Sequence, residues 1–430
     1  MKNKQKKYVI VGNSTAGVAA IEAIRSIDRA GVITVVSDEP YLNYSRPLIS
    51  YFLAGKVSKD KLSFRGKDFY ESNEIRLILD TKAVRIDTEK KELVCSGNKK
   101  VPFDKLLLAA GGVPIIPPLN GRDLAGVFTF TKLSDAEAIE KYVRSHSVKK
   151  AVVIGGGLIG LKATEALVAL HMSVTIVELA DRVLSAAFDK TASSIIEHAL
   201  EKVNCRVSVN NTVEEIEGRA GEVKGVIFKN KEKVPADLVI IAIGVRPSIS
   251  LAQGTRIKIN KGFLVDDHMR TSVRDIYAAG DCCEAWDALL GINRTLAIWP
   301  LAVKQGLAAG YAMVGSDKKY AGGFAMNSVE LCGIPTVSVG VTNPEGTGYE
   351  VLESYDKEKP LYRKIILQNN RIMGAIFVGD IDRAGIYTGL IRDTVDTASF
   401  KEHLLKDDFG LIRFPKEYRK YLIDKETVAI

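Results

Sequence analysis

Gly155-Gly156-Gly157-Leu158-Ile159-Gly160 follows an apolar strand pattern, Ala151 to Ile154, and opens a helical one, Leu161 to Leu170, ahead of Ser173 to Val177 and Glu178. Strand, glycine turn, helix, strand and acid, in that order, make a βαβ unit suited to a dinucleotide. Gly155 allows the tight turn, Gly157 lets backbone amides approach a pyrophosphate, and Gly160 permits close helix packing. Leu158 and Ile159 open the helix, whose N-terminus stabilises negative charge. Glu178 is placed to accept hydrogen bonds from ribose hydroxyls and to repel a 2′-phosphate, so NADH is expected over NADPH.

The same order occurs about 140 residues earlier: strand Tyr8 to Val11, turn Gly12-Asn13-Ser14-Thr15-Ala16-Gly17, helix Val18 to Ile27 and strand Val32 to Val36. Ser14 stands where the second glycine belongs, and adds only a small hydroxyl. Asp38 and Glu39 lie just past the second strand, where a ribose-binding carboxylate is needed. Each copy continues into a β-rich stretch that closes on an apolar strand and glycine. These are Leu106 to Gly112, containing Ala110 and Gly111, and Leu238 to Gly244. Pro114 and Pro247 follow and mark chain crossings out of a sheet. From Phe324 the pattern changes to alternating strands (Thr336 to Val341, Lys364 to Leu367, Met373 to Val378) and a helix from Ile386 to Thr394. The expected fold class is α/β, with two Rossmann-like dinucleotide-binding domains and a C-terminal α+β interface domain. The expected boundaries are residues 1–115 with 246–323 for a discontinuous first domain, 116–245 for the second, and 324–430 for the third.

Composition excludes several classes. The 430 residues are 46% hydrophobic and 26% charged, enough for two or three cores. No apolar run approaches the roughly 20 residues that a spanning helix requires. The basic start, Lys2 to Lys7, meets its apolar run for only four residues before Gly12, so a solvated tail and a cytoplasmic protein are expected. Five scattered cysteines, at 95, 205, 282, 283 and 332, form neither a disulfide framework nor a zinc site, and no metal is expected. The formal charge of +8 is spread along the chain without interleaved aromatics, which argues against nucleic acid.

A third segment, Ile276-Tyr277-Ala278-Ala279-Gly280-Asp281, is an apolar strand that ends at Gly-Asp before an expected helix. Gly280 lets backbone pass close beneath a ligand, and Asp281 can hold a sugar-like hydroxyl. Two dinucleotide motifs, this Gly-Asp segment and the closing strands together resemble the pyridine nucleotide-disulfide oxidoreductase superfamily over nearly the whole chain. Asp38-Glu39-Pro40-Tyr41 with Tyr44-Ser45-Arg46-Pro47, and Val378-Gly379-Asp380-Ile381-Asp382-Arg383-Ala384-Gly385, resemble its ferredoxin and rubredoxin reductase branch and the flavin module of NADH-dependent assimilatory nitrite reductase. The resemblance implies that the first unit binds the ADP half of FAD and the second binds NAD(P)H. It implies that Asp38 holds the adenosine ribose, that Arg46, beside Pro47, reaches the FAD phosphates or flavin edge, and that Asp281 binds the ribityl chain. Ile298-Trp299-Pro300-Leu301-Ala302 is similar to the loop that places an aromatic ring and a helix N-terminus at the flavin pyrimidine edge.

Two departures bear on function. Disulfide reductases of the superfamily keep a redox cysteine just after the first βαβ unit, whereas residues 40 to 55 contain none and the position falls at about Asn43. Without a thiolate there is no dithiol relay and no sulfenic acid. A vicinal disulfide of Cys282 and Cys283 is disfavoured by its ring geometry. Where many relatives carry a Lys and Glu pair beside flavin N5, the sequence has Tyr51 and Lys162, so Lys162 is expected to supply the cation from the nicotinamide side. Transfer from NADH through FAD to an iron-sulfur or rubredoxin-type carrier is the expected activity, with the chain as a homodimer or as the flavin subunit of a larger complex that reduces NAD. An NADH oxidase or thiol reductase, and a redox-responsive binding protein similar to apoptosis-inducing factor, are the rival readings.

Overall fold

The computed structural model describes residues 5–425, so Lys2 and Lys4 of the basic start lie outside the described residues. The chain forms two units, residues 1–177 with 212–323, and residues 178–211 with 324–430.

The larger unit contains the duplication. Strand β1 (Lys7–Val11), helix α1 (Thr15–Arg25) and β2 (Val32–Val36) form the first βαβ. A short helix α2 (Ile49–Leu53) and strand β3 (Ile75–Ile78) follow, and a three-stranded antiparallel meander between Ala83 and Pro102 leads into β4 (Lys105–Leu108). The parallel sheet is completed by the strand Ile276–Ala278, which pairs with β4 on the flank opposite β1. The second copy adds β5 (Val127–Thr129), β6 (Lys150–Ile154), helix α3 (Leu158–Ala169), β7 (Ser173–Val177), another meander between Val213 and Pro235, and β8 (Leu238–Ile241). Its parallel strands run in the order β7-β6-β8-β5. β-Branched and leucine side chains fill both sheets because parallel strands covered on two faces have no polar side; Ile10, Ile33, Leu107, Val152, Val153 and Ile240 are fully buried.

Both helices begin three residues earlier than the sequence pattern suggests, at Thr15 and Leu158 rather than Val18 and Leu161. The last glycine of each motif therefore sits in the first turn of a helix. It is needed there for close approach and not for a bend. A Cβ built at Gly17 would overlap the carbonyl oxygen of Gly12, and one at Gly160 that of Gly155. A second correction concerns Asp281, which is followed by a strand, Cys283–Asp287, where a helix was expected. That strand pairs in parallel with Phe263–Leu264 and buries both cysteines.

Helix α4 (Trp299–Met313) lies against α1 along a seam of small residues. A Cβ at Gly306 would strike the backbone of Ala16, and one at Gly310 that of Ala20. Because 306 meets 16 and 310 meets 20, the two helices run in the same direction. Their N-termini open at the same end.

In the second unit an antiparallel sheet runs β9 (Met326–Leu331), β10 (Ile334–Gly340), β13 (Arg371–Val378), β12 (Leu361–Gln368), β11 (Glu350–Asp356), and helix α5 (Ala384–Arg392) covers it. The long β12 to β13 hairpin and an aromatic group of Phe377, Tyr387, Phe400, Phe409 and Phe414 make its core. Among the described residues no helix is long and apolar enough to cross a membrane.

Candidate functional site

The two glycine turns match in backbone detail. Gly12 has φ +108° and Gly155 φ +110°, a region open chiefly to glycine, and at each a Cβ would enter the carbonyl of the closing strand, at Ala109 and Ala242. The middle positions differ in kind. Ser14 (φ −110°) and Gly157 (φ −78°) both cap their helices in extended backbone that any residue adopts. The serine is therefore no obstacle to the turn. A Cβ at Gly157 would have nothing within 4 Å, so that glycine leaves open space at the helix N-terminus. Gly111 (φ +66°) and Gly244 (φ +118°) repeat the parallel where the chain leaves each closing strand. Beyond them, Gly112–Pro114 and Val245–Pro247 pair with each other as the two crossings.

Gly280 lies where α1 and α4 meet, its missing Cβ site 3.4 Å from the Cβ of Ala16 and 3.7 Å from that of Ala302. Its amide donates to Oε1 of the buried Gln305 (2.8 Å), a side chain the sequence reading passed over. Burial pushes the Asp281 carboxyl above its ordinary range, against the opposing pull of the Arg46 cation. A carboxylate so desolvated is relieved by hydroxyl donors. At the start of α4, Trp299 meets Phe64 edge to face, with ring centroids 5.1 Å apart, and Pro300 fills the first turn, where no amide partner is lost.

After β2 the two acids divide. Asp38 is half-exposed and pairs with Lys132 (2.9 Å). Glu39 is buried; its carboxylate accepts from Arg46 Nη2 (2.6 Å) and from the Tyr44 hydroxyl (2.7 Å). Arg46 Nη1 donates to the Thr131 carbonyl (2.8 Å), and Pro47 starts the turn that follows. Burial works against the Arg46 charge, but Tyr44, Glu39, Asp281 and Asp38 hold its pKa above the ordinary value.

Tyr51 and Lys162 meet. The Lys162 ammonium stands 4.8 Å from the Tyr51 ring centroid and is ion-paired with Glu165. Lys56 approaches the same ring at 6.0 Å, a second cation that sequence spacing did not single out. Asn43 is 2% exposed. Its Oδ1 accepts from the amides of Phe64 (3.2 Å) and Arg65 (3.0 Å), its Nδ2 donates to the Tyr70 hydroxyl (3.1 Å), and that hydroxyl donates to Asn13 Oδ1 (2.7 Å). Cys282 and Cys283 are buried and form no disulfide with each other. Burial raises Cys282 to about 12 and carries Cys283 well above its ordinary value. Neither is a thiolate at neutral pH.

Glu178 belongs to the second unit, where its Oε1 accepts from the Ala180 amide (2.8 Å) and its carbonyl from the Asn211 amide (3.0 Å). Among the described residues one group has metal-ligand spacing, Asp266, Asp267 and His268. Arg270 and Lys319 already neutralise the two aspartates.

The sequence profile of pyridine nucleotide-disulphide oxidoreductases matches residues 6–306, and that of the rubredoxin NAD+ reductase C-terminal domain matches residues 326–395. A nitrite reductase [NAD(P)H] of Bacillus subtilis (strain 168) is 33% identical over 393 residues, 91% of this chain and 48% of its own, so the chain spans about half of that relative. The NADH-dependent phenylglyoxylate dehydrogenase subunit epsilon of Aromatoleum evansii is 33% identical over 95% of this chain and 96% of its own. Among solved structures, the covalent putidaredoxin reductase–putidaredoxin complex superposes with a TM-score of 0.82 at 25% identity, covering 92% of this chain and 94% of that one.

Proposed function

Because the chain belongs to the pyridine nucleotide-disulphide oxidoreductase family, whose members use FAD and NAD(P)H, we propose that it takes two electrons from NADH and delivers them singly to an iron-sulfur or rubredoxin-type carrier. FAD supplies that two-to-one conversion when bound. The residues of the first cradle fit it: glycines whose missing Cβ atoms leave room, two helix N-termini opening at one end, and a desolvated Asp281 waiting for hydroxyl donors. On this reading Gly12, Ser14, Ala16 and Gly17 face the FAD pyrophosphate, Asp38 and Glu39 its ribose side, Ala110 and Gly111 the neighbouring backbone, and Trp299 with Pro300 the ring edge. Arg46, anchored on Glu39 and the Thr131 carbonyl, reaches the FAD phosphates or the flavin edge. The second cradle, Gly155 to Gly160 with Gly244, takes NADH, whose ribose Glu178 accepts. Lys162, over Tyr51, holds positive charge toward the reacting edge. The domain assignment in this proposal is residues 1–115 with 246–323 for FAD, 116–245 for NAD(P)H, 324–430 for dimerisation or carrier docking, in a cytoplasmic protein.

Asn43 carries the choice of acceptor. Where the superfamily's disulfide reductases keep a thiol, a buried amide is committed to four hydrogen-bonding groups, Tyr70 and Ser63 together with the amides of Phe64 and Arg65. No sulfur can relay electrons there, so they leave directly. The match to nearly the full length of a dehydrogenase subunit favours a second form of the same reading, in which the chain is a flavin subunit and electrons flow toward NAD. Anaerobic reduction of the purified holoprotein with NADH, followed by scoring of ferredoxin, rubredoxin, quinone, oxygen and disulfide as oxidants, tests both. Fast turnover with a disulfide and none with the iron proteins would overturn the proposal.

A further inference from the structure

Twelve residues without helix or strand, 178–189, separate β7 from the helix Lys190–Lys202, and this segment starts with Glu178. A loop of that length with an exposed Leu179 would ordinarily be mobile. It is instead pinned along its length. Val183 is fully buried and held at both backbone groups, by Glu197 (3.0 Å) and the Ser193 hydroxyl (2.7 Å). Leu184 sits at φ +55°, a left-handed conformation that a leucine keeps only when its surroundings over-determine it.

Much of the holding comes from the C-terminal sheet of the same unit and the turn that follows its strand β10. Asn343 donates to the carbonyls of Ser185 and Phe188 (both 3.1 Å) and accepts from Arg182 (3.4 Å). At the end of the loop Asp189 caps the following helix through the Ala192 amide (3.0 Å), and its other oxygen accepts from the Tyr362 hydroxyl (2.7 Å) and the Lys364 ammonium (2.8 Å). Tyr362 and Lys364 are two apart on β12, so both project from one face. The ion pair is nearly dry, with side chains 11% and 14% exposed. A pair taken out of water adds little net stability over an apolar replacement, because desolvation offsets the attraction. What it adds is one defined geometry.

We propose that Lys364, Tyr362 and Asn343 are positioning residues for the nicotinamide cofactor, fixing the loop that presents Glu178 so that the C-terminal sheet sets NADH affinity and the preference for NADH over NADPH. The proposal rests on Glu178 as the ribose acceptor. None of the three touches the reacting atoms. They act by restricting the loop, whose ordering would otherwise be charged to binding.

The test uses the holoprotein and reads NADH and NADPH dissociation constants by fluorescence titration, with kcat at saturating NADH. Lys364→Met and Asn343→Ala are expected to weaken NADH about fivefold to tenfold and narrow the NADH to NADPH ratio at unchanged kcat, and Lys364→Arg to restore most of the loss. Asn343 is exposed, so its variant keeps the fold even if Lys364→Met does not. Wild-type affinities and ratio in both variants, beside a Glu178→Gln reference that loses NADH, would overturn the positioning role alone. A Glu178→Gln protein that binds NADH normally would remove the ribose assignment, and the proposal with it.

Discussion

Gly157 and Gly160 stand three residues apart in one motif, yet alanine should cost stability at the second and change it little at the first. At Gly160 the added carbon enters the Gly155 carbonyl and presses within 3.4 Å of Val153 Cγ1. Val153 is fixed in the buried strand β6 and Gly155 in the turn that follows it, so the helix must shift away; overpacking of this kind costs about 1–3 kcal/mol. Spread over a unit of this size, that lowers the melting temperature by roughly 2–4 °C per kcal/mol. At Gly157 the new methyl meets nothing, and its backbone (φ −78°, ψ −179°) already suits alanine. Restricting the unfolded chain there gains about 0.4–1 kcal/mol, but alanine caps the helix less well than glycine by about as much, so stability should change little. The same methyl occupies the space proposed for the pyrophosphate, so NADH should bind about tenfold or more weakly in both variants, a loss of ~1.4 kcal/mol. Paired thermal unfolding and NADH titration separate the terms. A Gly157→Ala protein that is as stable as wild type and still binds NADH as wild type would refute placing the cofactor against this helix.

Reversing charge at Lys162, which is 20% exposed and stacked over Tyr51, should slow flavin reduction by NADH about tenfold in stopped flow, the effect of ~1.4 kcal/mol at a partly solvated site; an unchanged rate removes its role. Burial raises the Asp189 carboxyl, but the Ala192 amide, Lys364 and Tyr362 outweigh that and hold it below its ordinary value. Its folded pKa is depressed, so its contribution is present above the unfolded value near ~3.9 and is lost as pH falls through the lower folded value. Acid unfolding should accordingly be steeper in wild type than in Asp189→Asn in that window, and coincident curves would contradict it. With both thiols buried and their pKa values raised, iodoacetamide at pH 8 should leave Cys282 and Cys283 unmodified until the protein is denatured. The Cys282→Ala/Cys283→Ala double variant should keep carrier reduction, and abolished transfer would restore a sulfur relay.

Local periodicity exposed the duplicated βαβ units because parallel strands and the helices that cover them write their burial into neighbouring residues, as in Ala151 to Val177. The helix starts were misjudged because glycine is equally at home in a turn and at a point of backbone contact. Only coordinates distinguish Gly160 in its helix from Gly155 in its bend. Cys282-Cys283 read as a helix start since small residues suit one, while the pairing that makes it a strand lies twenty residues upstream at Phe263. The bracket at Asn43, the Glu39 to Arg46 pair and the Gln305 contact to Gly280 depend on side chains 20 or more residues apart or on rotamers, and no spacing rule reaches them. Lys364 to Asp189 spans 175 positions. A lysine on a strand ordinarily reads as solvated, and nothing local marks this one as buried.

The parallel sheet of the first cradle lacks its outer strand until Ile276–Ala278 has been made, and α1 lacks its cover until Gly306 and Gly310 arrive. On the ribosome the earlier half must therefore wait, its β4 edge and alanine-lined helix bare. Ribosome-held chains stopped short of α4 should be the ones that chaperones and proteases find, and FAD should rescue only chains long enough to include it.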